Sequence, residues 1–167
     1  VRALDENDWH RLLGIVQYPE GDRTVDHRIF GWVRGKSKKM LLGSADASRA
    51  IESIPVSGPV SAAAWARFVR GYTTAFKPTA LATASRLLAL RRPDLFLSAN
   101  LRSRKVLEQT LGMQVRNLDD YWHLHQVMWS WPWARAPKPK GKQMRRNWDA
   151  RVALLDVLFY LPPGEDQ

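Results

Sequence analysis

Between Ser61 and Phe76 the large apolar side chains Trp65, Phe68, Val69, Tyr72 and Phe76 recur three or four residues apart. One face of an α-helix requires that spacing, and the alternation of a strand forbids it. Ser61 is placed to cap this helix, and Lys77-Pro78 breaks it. Thr79 then opens a second helix that turns Leu81, Ala84, Leu87 and Leu88 inward and ends at Arg91-Arg92-Pro93-Asp94. A third helix begins at Asn100 or Ser103 and carries Val106, Leu107 and Leu111, with Gly112 suited to its C′ position. Asp119 or Asp120 opens a fourth, through Trp131. Pro132 to Gly141 reads as a loop, and Asn147 caps a last helix with Trp148, Val152, Leu155 and Phe159 on one face, stopped by Pro162-Pro163-Gly164.

Upstream, Asp8 to Gln17 fits a short helix with Trp9, Leu12, Leu13 and Val16 as its stripe, and Asp46 to Ile54 fits another, stopped by Pro55. The segment 28–43 is either a small β-hairpin with a basic tip or a helix interrupted by glycine. The expected fold class is therefore mainly α: one compact multi-helix domain over residues 1–167, with at most one hairpin. The opening Val1 and the ending on Gly164-Glu165-Asp166-Gln167 are what a piece of a longer protein would show.

The absence of Cys excludes a disulfide scaffold, a thiol nucleophile, a Cys-based zinc site and an iron–sulfur cluster. No apolar run reaches the roughly 20 residues that span a bilayer. No signal peptide opens the chain, so a cytoplasmic location without membrane contact is expected.

Charge is unevenly spread. Residues 1–26 hold three basic side chains against six acidic, residues 27–118 sixteen against four, and residues 119–167 seven against six. The formal net charge of +10 gathers in three places: Arg28 to Lys39, Arg86 to Lys105, and Arg135 to Arg146. The last is a run of six cations with no anion, in a basic loop over residues 134–146. Such a field attracts polyanions, because each phosphate contact releases condensed counterions. An anionic protein or lipid surface, or solubility alone, are the other readings of the same charge.

Little in the sequence points to catalytic chemistry. Gly31 to Gly35, followed by Lys36-Ser37, has three residues between its glycines where a phosphate loop needs four. His123 and His125 are two apart, about 200° around a helix, and cannot chelate one ion together. His10 and His27 have no partner at ligand spacing, and surface or interface histidines are the default. No metal, cofactor or catalytic residue is assigned. Asp119, Asp120 and Asp149 read as helix caps. Asp156, on the margin of an apolar face, would need a cationic partner, either Arg151 or an arginine of the second helix. Trp122, Trp129, Trp131, Trp133 and Trp148 concentrate aromatic surface that fills a core or stacks on exposed bases; Trp131 and Trp133 are the candidates for recognition.

The stretch from Lys77 to Asn100, with Arg91-Arg92-Pro93-Asp94-Leu95-Phe96 at its centre, resembles the central segment of helix-hairpin-helix DNA glycosylases. In that family a hairpin leads into a helix, a Pro-x-x-Phe turn follows and an aspartate activates the reaction. Asn100 stands where the aspartate would fall, and Phe76-Lys77-Pro78-Thr79 replaces the hairpin glycines. The resemblance thus implies a DNA-binding helical scaffold without glycosylase chemistry. The same block, with Tyr121-Trp122, Trp133 and Arg151 to Asp156, is also similar to helical regions of uncharacterised bacterial proteins, some accompanying restriction or phage-defence enzymes.

The expectation is a bacterial helical domain that binds nucleic acid, duplex DNA foremost, through phosphates. Arg86, Arg91, Arg92, Arg102, Arg104 and Lys105 would form one phosphate-contacting surface, with Asn100 and Arg102 suited to base edges. Lys138, Lys140, Lys142, Arg145 and Arg146 would form a flexible arm that orders on binding, and Lys36, Lys38 and Lys39 would extend the footprint. A protein-interaction module docking through a Trp-rich face is the alternative. A nucleic-acid-processing enzyme is the third, with Asp94 or Asp156 as its first carboxylates.

Overall fold

The computed structural model describes residues 45–76 and 81–156. The expected helix at Asp8–Gln17, the segment 28–43 and the Thr79 cap lie outside them, as do Lys36, Lys38 and Lys39. Within the described residues the fold is all-helical. Its elements are α1 (Ala45–Glu52), α2 (Ala62–Ala75), α3 (Leu81–Arg91), α4 (Leu101–Leu111), α5 (Leu118–Ser130), α6 (Pro132–Arg135) and α7 (Lys142–Asp149).

α2 starts where its sequence dictates: Ser61 is extended and its hydroxyl accepts from the Ala64 N–H at 3.2 Å, satisfying one of the helix's orphan donors. Trp65, Phe68, Tyr72 and Phe76 are all buried along one side. Each such side chain stabilises the fold by about 2 kcal/mol through the water it releases. α1 lies against α2 at Gly71, where an added Cβ would sit 3.0 Å from the Ala50 Cβ; the missing side chain permits the close approach. α3 is buried almost all round, including Thr83, Ser85 and Arg86 beside its leucines, so it forms the middle of the domain.

Between α3 and α4 the chain runs without helix, yet Leu95, Phe96, Leu97, Ser98 and Ala99 are all buried. Buried backbone needs partners, and side chains of two helices supply them. The Ala99 N–H donates to Ser85 Oγ at 2.9 Å, and the Tyr121 hydroxyl donates to the Leu97 carbonyl at 2.6 Å. At the start of this segment the Ala153 N–H donates to the Pro93 carbonyl at 2.9 Å, tying the chain after α7 back to it.

Three boundaries differ from expectation. Asn117, not Asp119 or Asp120, caps α5: its Oδ1 accepts from both of their N–H groups at 2.9 and 2.8 Å. Asp120 instead turns back to accept from the N–H and side chain of Arg116, which lowers its pKa. Pro132 begins the short helix α6 rather than a loop, its fixed φ suiting the first helical position. The helix expected from Asn147 through Phe159 is instead Lys142–Asp149, so Asn147 is an interior residue and Asp149 the final one, neither a cap. Residues 150–154 form turns that separate Trp148 from Val152 and Leu155. At α4 the choice resolves to Asn100, whose Oδ1 accepts from the Ser103 N–H at 3.0 Å. Gly112 ends α4 with φ +64°, a left-handed conformation that costs glycine little.

A candidate nucleic-acid interface

The six cations from Arg135 to Arg146 are all exposed. Their setting is not a loose arm. Ala136 (φ −59°, ψ 149°) and Gly141 (φ −68°, ψ 136°) hold extended backbone at the two ends of Pro137-Lys138-Pro139-Lys140, and both prolines fix φ between them. α7 follows and buries none of its residues. The flexible-arm expectation is therefore corrected to a proline-stiffened strap joined to a helix. Lys138 Nζ pairs with both oxygens of Asp149, at 2.6 and 2.7 Å, and so fastens the strap to the end of α7. Lys140, Lys142, Arg145 and Arg146 make no ion pair with a described residue. Strap and helix enclose an open groove of about 400 Å³ lined by Lys138, Pro139, Lys140 and Arg145. Next to it the Arg151 guanidinium stacks 4.1 Å above the Trp148 ring.

The second expected surface, around α3 and α4, does not assemble. Arg86 is 1% exposed and Arg92 3%, so neither lies where a phosphate could meet it. The reason is internal pairing. Arg92 is spent on Asp94 at 2.8 and 2.9 Å and on the carbonyls of Pro55 and Gly58 at 2.8 and 2.9 Å, locking the connector before α2 onto the end of α3. Arg91 Nε donates to the Ile54 carbonyl at 3.2 Å, and Arg104 donates to that of Val115 at 3.3 Å. Asn100 caps α4 through Oδ1, the oxygen that a two-point contact to a base edge would also use. Lys105 is exposed, and Arg102 lies in the first turn of α4.

Arg86 and Asp156 form the buried charged centre of the domain, as expected for an arginine of the second sequence-read helix. Burial lowers the Arg86 pKa to about 10, leaving it cationic at neutral pH, with the Asp156 charge opposing that shift. Burial raises Asp156 to about 6, against the pull of Ser103 and Arg86. Neither Asp156 oxygen has a hydrogen-bond partner among the described residues. The Ser103 hydroxyl instead makes long bonds to the carbonyls of Ser98 (3.4 Å) and Asn100 (3.3 Å), and rotation would bring its proton to the carboxylate.

The tryptophans are mostly consumed by packing. Trp65 and Trp122 stack at 4.8 Å, and Phe96 stacks on His125 at 4.6 Å. Trp131 and Trp133, 6.2 Å apart, are half-buried against the same core, so neither offers a free ring face as large as the sequence suggested. His125 is 7% exposed and packs inside the domain, which corrects the surface-or-interface reading for that histidine. Burial pushes its pKa down to about 4, so it is neutral in the physiological range, with the Leu95 backbone as its hydrogen-bond partner. Pro59, Val60, Leu95, Trp122, His125, Gln126 and Trp129 line a cavity of about 160 Å³ beside it.

Among the described residues no cluster of three His, Asp or Glu could hold a metal ion, and no helix is long and apolar enough to cross a membrane. No protein-family model, no curated protein and no solved structure matches the chain. Periodicity and charge counts alone could not have found the Arg92–Asp94 lock. Its nearest signal was the closeness of Arg92 and Asp94 across Pro93, which favours a local pair.

Proposed function

We propose that this domain binds nucleic acid, with duplex DNA as the first candidate, through phosphate contacts from the strap before α7 and from α7 itself. The observation that carries the reading is six exposed cations in twelve consecutive residues, three of them (Lys142, Arg145 and Arg146) on a helix that has no fully buried residue. A helix whose most buried large side chain, Trp148, is only half-buried contributes little to the core, and its exposed side chains remain available to a partner. Phosphate contacts need no shape-specific pocket and make binding strongly salt-dependent. Lys105, and Lys36, Lys38 and Lys39, would extend the footprint. A nucleic-acid partner implies a cytoplasmic setting, and the resemblance above points to a bacterial defence-associated one.

The test is the triple variant Lys138→Ala/Lys140→Ala/Lys142→Ala, titrated against labelled duplex DNA, single-stranded DNA and RNA. Affinity falls about equally across sequences, and the log–log salt slope flattens by up to about three units. An unchanged slope removes this segment from the interface.

A further inference from the structure

We infer that the groove between the Pro139 strap and the first turns of α7 is a seat for one phosphate group, held by Lys138, Lys140 and Arg145. The inference deepens the nucleic-acid reading and rests on it for the biological ligand. The groove differs from the general field of the basic segment in three respects.

First, the groove-lining cations come from two elements: Lys138 and Lys140 from the strap, Arg145 from the helix. Cations converging on a concavity can contact one anion together, whereas Lys142 and Arg146 do not line it.

Second, the strap is restricted before any ligand arrives. Pro137 and Pro139 restrict the strap, and the Lys138–Asp149 pair at 2.6 Å anchors it to the end of α7. A preformed site binds without the ordering cost that a loose lysine-rich arm would carry.

Third, the chemistry of the lining matches a tetrahedral oxyanion. Arg145 has a planar fork suited to two phosphate oxygens, and the two lysines bring compact charges to the others. At about 400 Å³ the groove also exceeds a bare phosphate, leaving room for the sugar attached to it. No carboxylate lines it, but Asp149 takes part of the Lys138 charge from its edge, so Lys140 and Arg145 supply most of the attraction.

The test uses two charge-matched double variants of the full chain. Lys140→Ala/Arg145→Ala empties the groove; Lys142→Ala/Arg146→Ala removes the same charge from outside it. All four side chains are exposed, and unchanged melting curves confirm that each variant folds. With a labelled oligonucleotide at about 0.1 M salt, the groove variant is expected to lose at least about tenfold more affinity than its control. Arg145→Lys, which keeps charge but not the fork, loses about fivefold.

Inorganic phosphate, titrated while backbone amide NMR shifts are followed, is the second readout; the largest shifts fall at Lys138, Lys140 and Arg145. Equal losses in the two doubles, or phosphate shifts spread evenly along residues 135–146, overturn the seat. If phosphate shifts the groove but no nucleic acid binds, the seat stands and the nucleic-acid reading falls. Comparing oligonucleotides with and without a 5′-phosphate assigns the seat to chain ends when the phosphate strengthens binding, and to internal phosphodiesters when it does not.

Discussion

Lys138 and Asp149, eleven residues apart, close an ion pair of 2.6 Å that ties the strap before α7 to the last residue of that helix. Both side chains are about half exposed, so solvent and salt weaken the attraction. Asp149→Ala is expected to change unfolding free energy by at most about 1 kcal/mol, less in high salt. Denaturant titration at two salt concentrations checks this. A loss several times larger would make α7 a structural staple instead of a presented surface.

Arg92 plays the opposite part, since its charge serves the fold. Replacing it with Ala strips Asp94 and the carbonyls of Pro55 and Gly58 of their partner, though these groups keep some access to water, and empties the buried space of the Arg92 side chain. The expected loss is about 2 kcal/mol. Arg92→Lys restores only part of it, because one ammonium cannot reproduce the guanidinium's spread of donors. Thermal unfolding measures both variants. Binding per folded molecule should stay unchanged, since Arg92 is withdrawn from solvent.

Two buried groups set opposing pH dependences. The pKa of His125 is lowered to about 4 in the folded state, so the unfolded chain takes up its proton first as pH falls below about 6.5. Its contribution to stability is full above about 6.5 and declines toward 4. Asp156, raised to about 6 from 3.8, binds its proton more tightly when folded, so its contribution is greatest below 3.8 and declines as pH rises to about 6. Over pH 4–6 the two slopes, each at most about 1.4 kcal/mol per unit, largely cancel. Relative to wild type, His125→Gln should therefore lose stability as pH rises through this range, and Asp156→Asn should gain it. Denaturant midpoints measured at several pH values decide, and parallel curves would contradict the assignment.

Two glycines separate backbone strain from crowding. At Gly112, φ is +64° and nothing lies within 4 Å of an added Cβ, so Ala there costs about 1 kcal/mol through the backbone alone. At Gly71 the backbone is helical but the Ala50 Cβ stands 3.0 Å away, so Val there costs about 2 kcal/mol by prising α1 from α2. Equilibrium unfolding of the two variants tests both values.

The fold class was legible because apolar spacing is a local signal. Ser61, Asn100 and Gly112 could be read as helix ends from residue type alone, and the structure uses them so. Asn117 was missed because two aspartates beside it have the same capping chemistry, and only geometry shows which side chain reaches the free N–H groups. The cation clusters were legible as composition but not as surface. Arg86 and Arg92 look like Arg145 and Arg146 in sequence, yet the first two are buried by long-range packing and pairing. His125 was misplaced for a related reason: its contact with Phe96 joins α5 to the segment after α3, which helical spacing does not report.

The most direct test of the central claim is fluorescence anisotropy with a labelled duplex of about 20 base pairs, titrated at several salt concentrations. Binding whose log–log salt slope is about −4 or steeper is the predicted result, as four or more neutralised phosphates require. No binding at low salt, or binding indifferent to salt, would contradict it and leave the exposed cations of α7 to another partner.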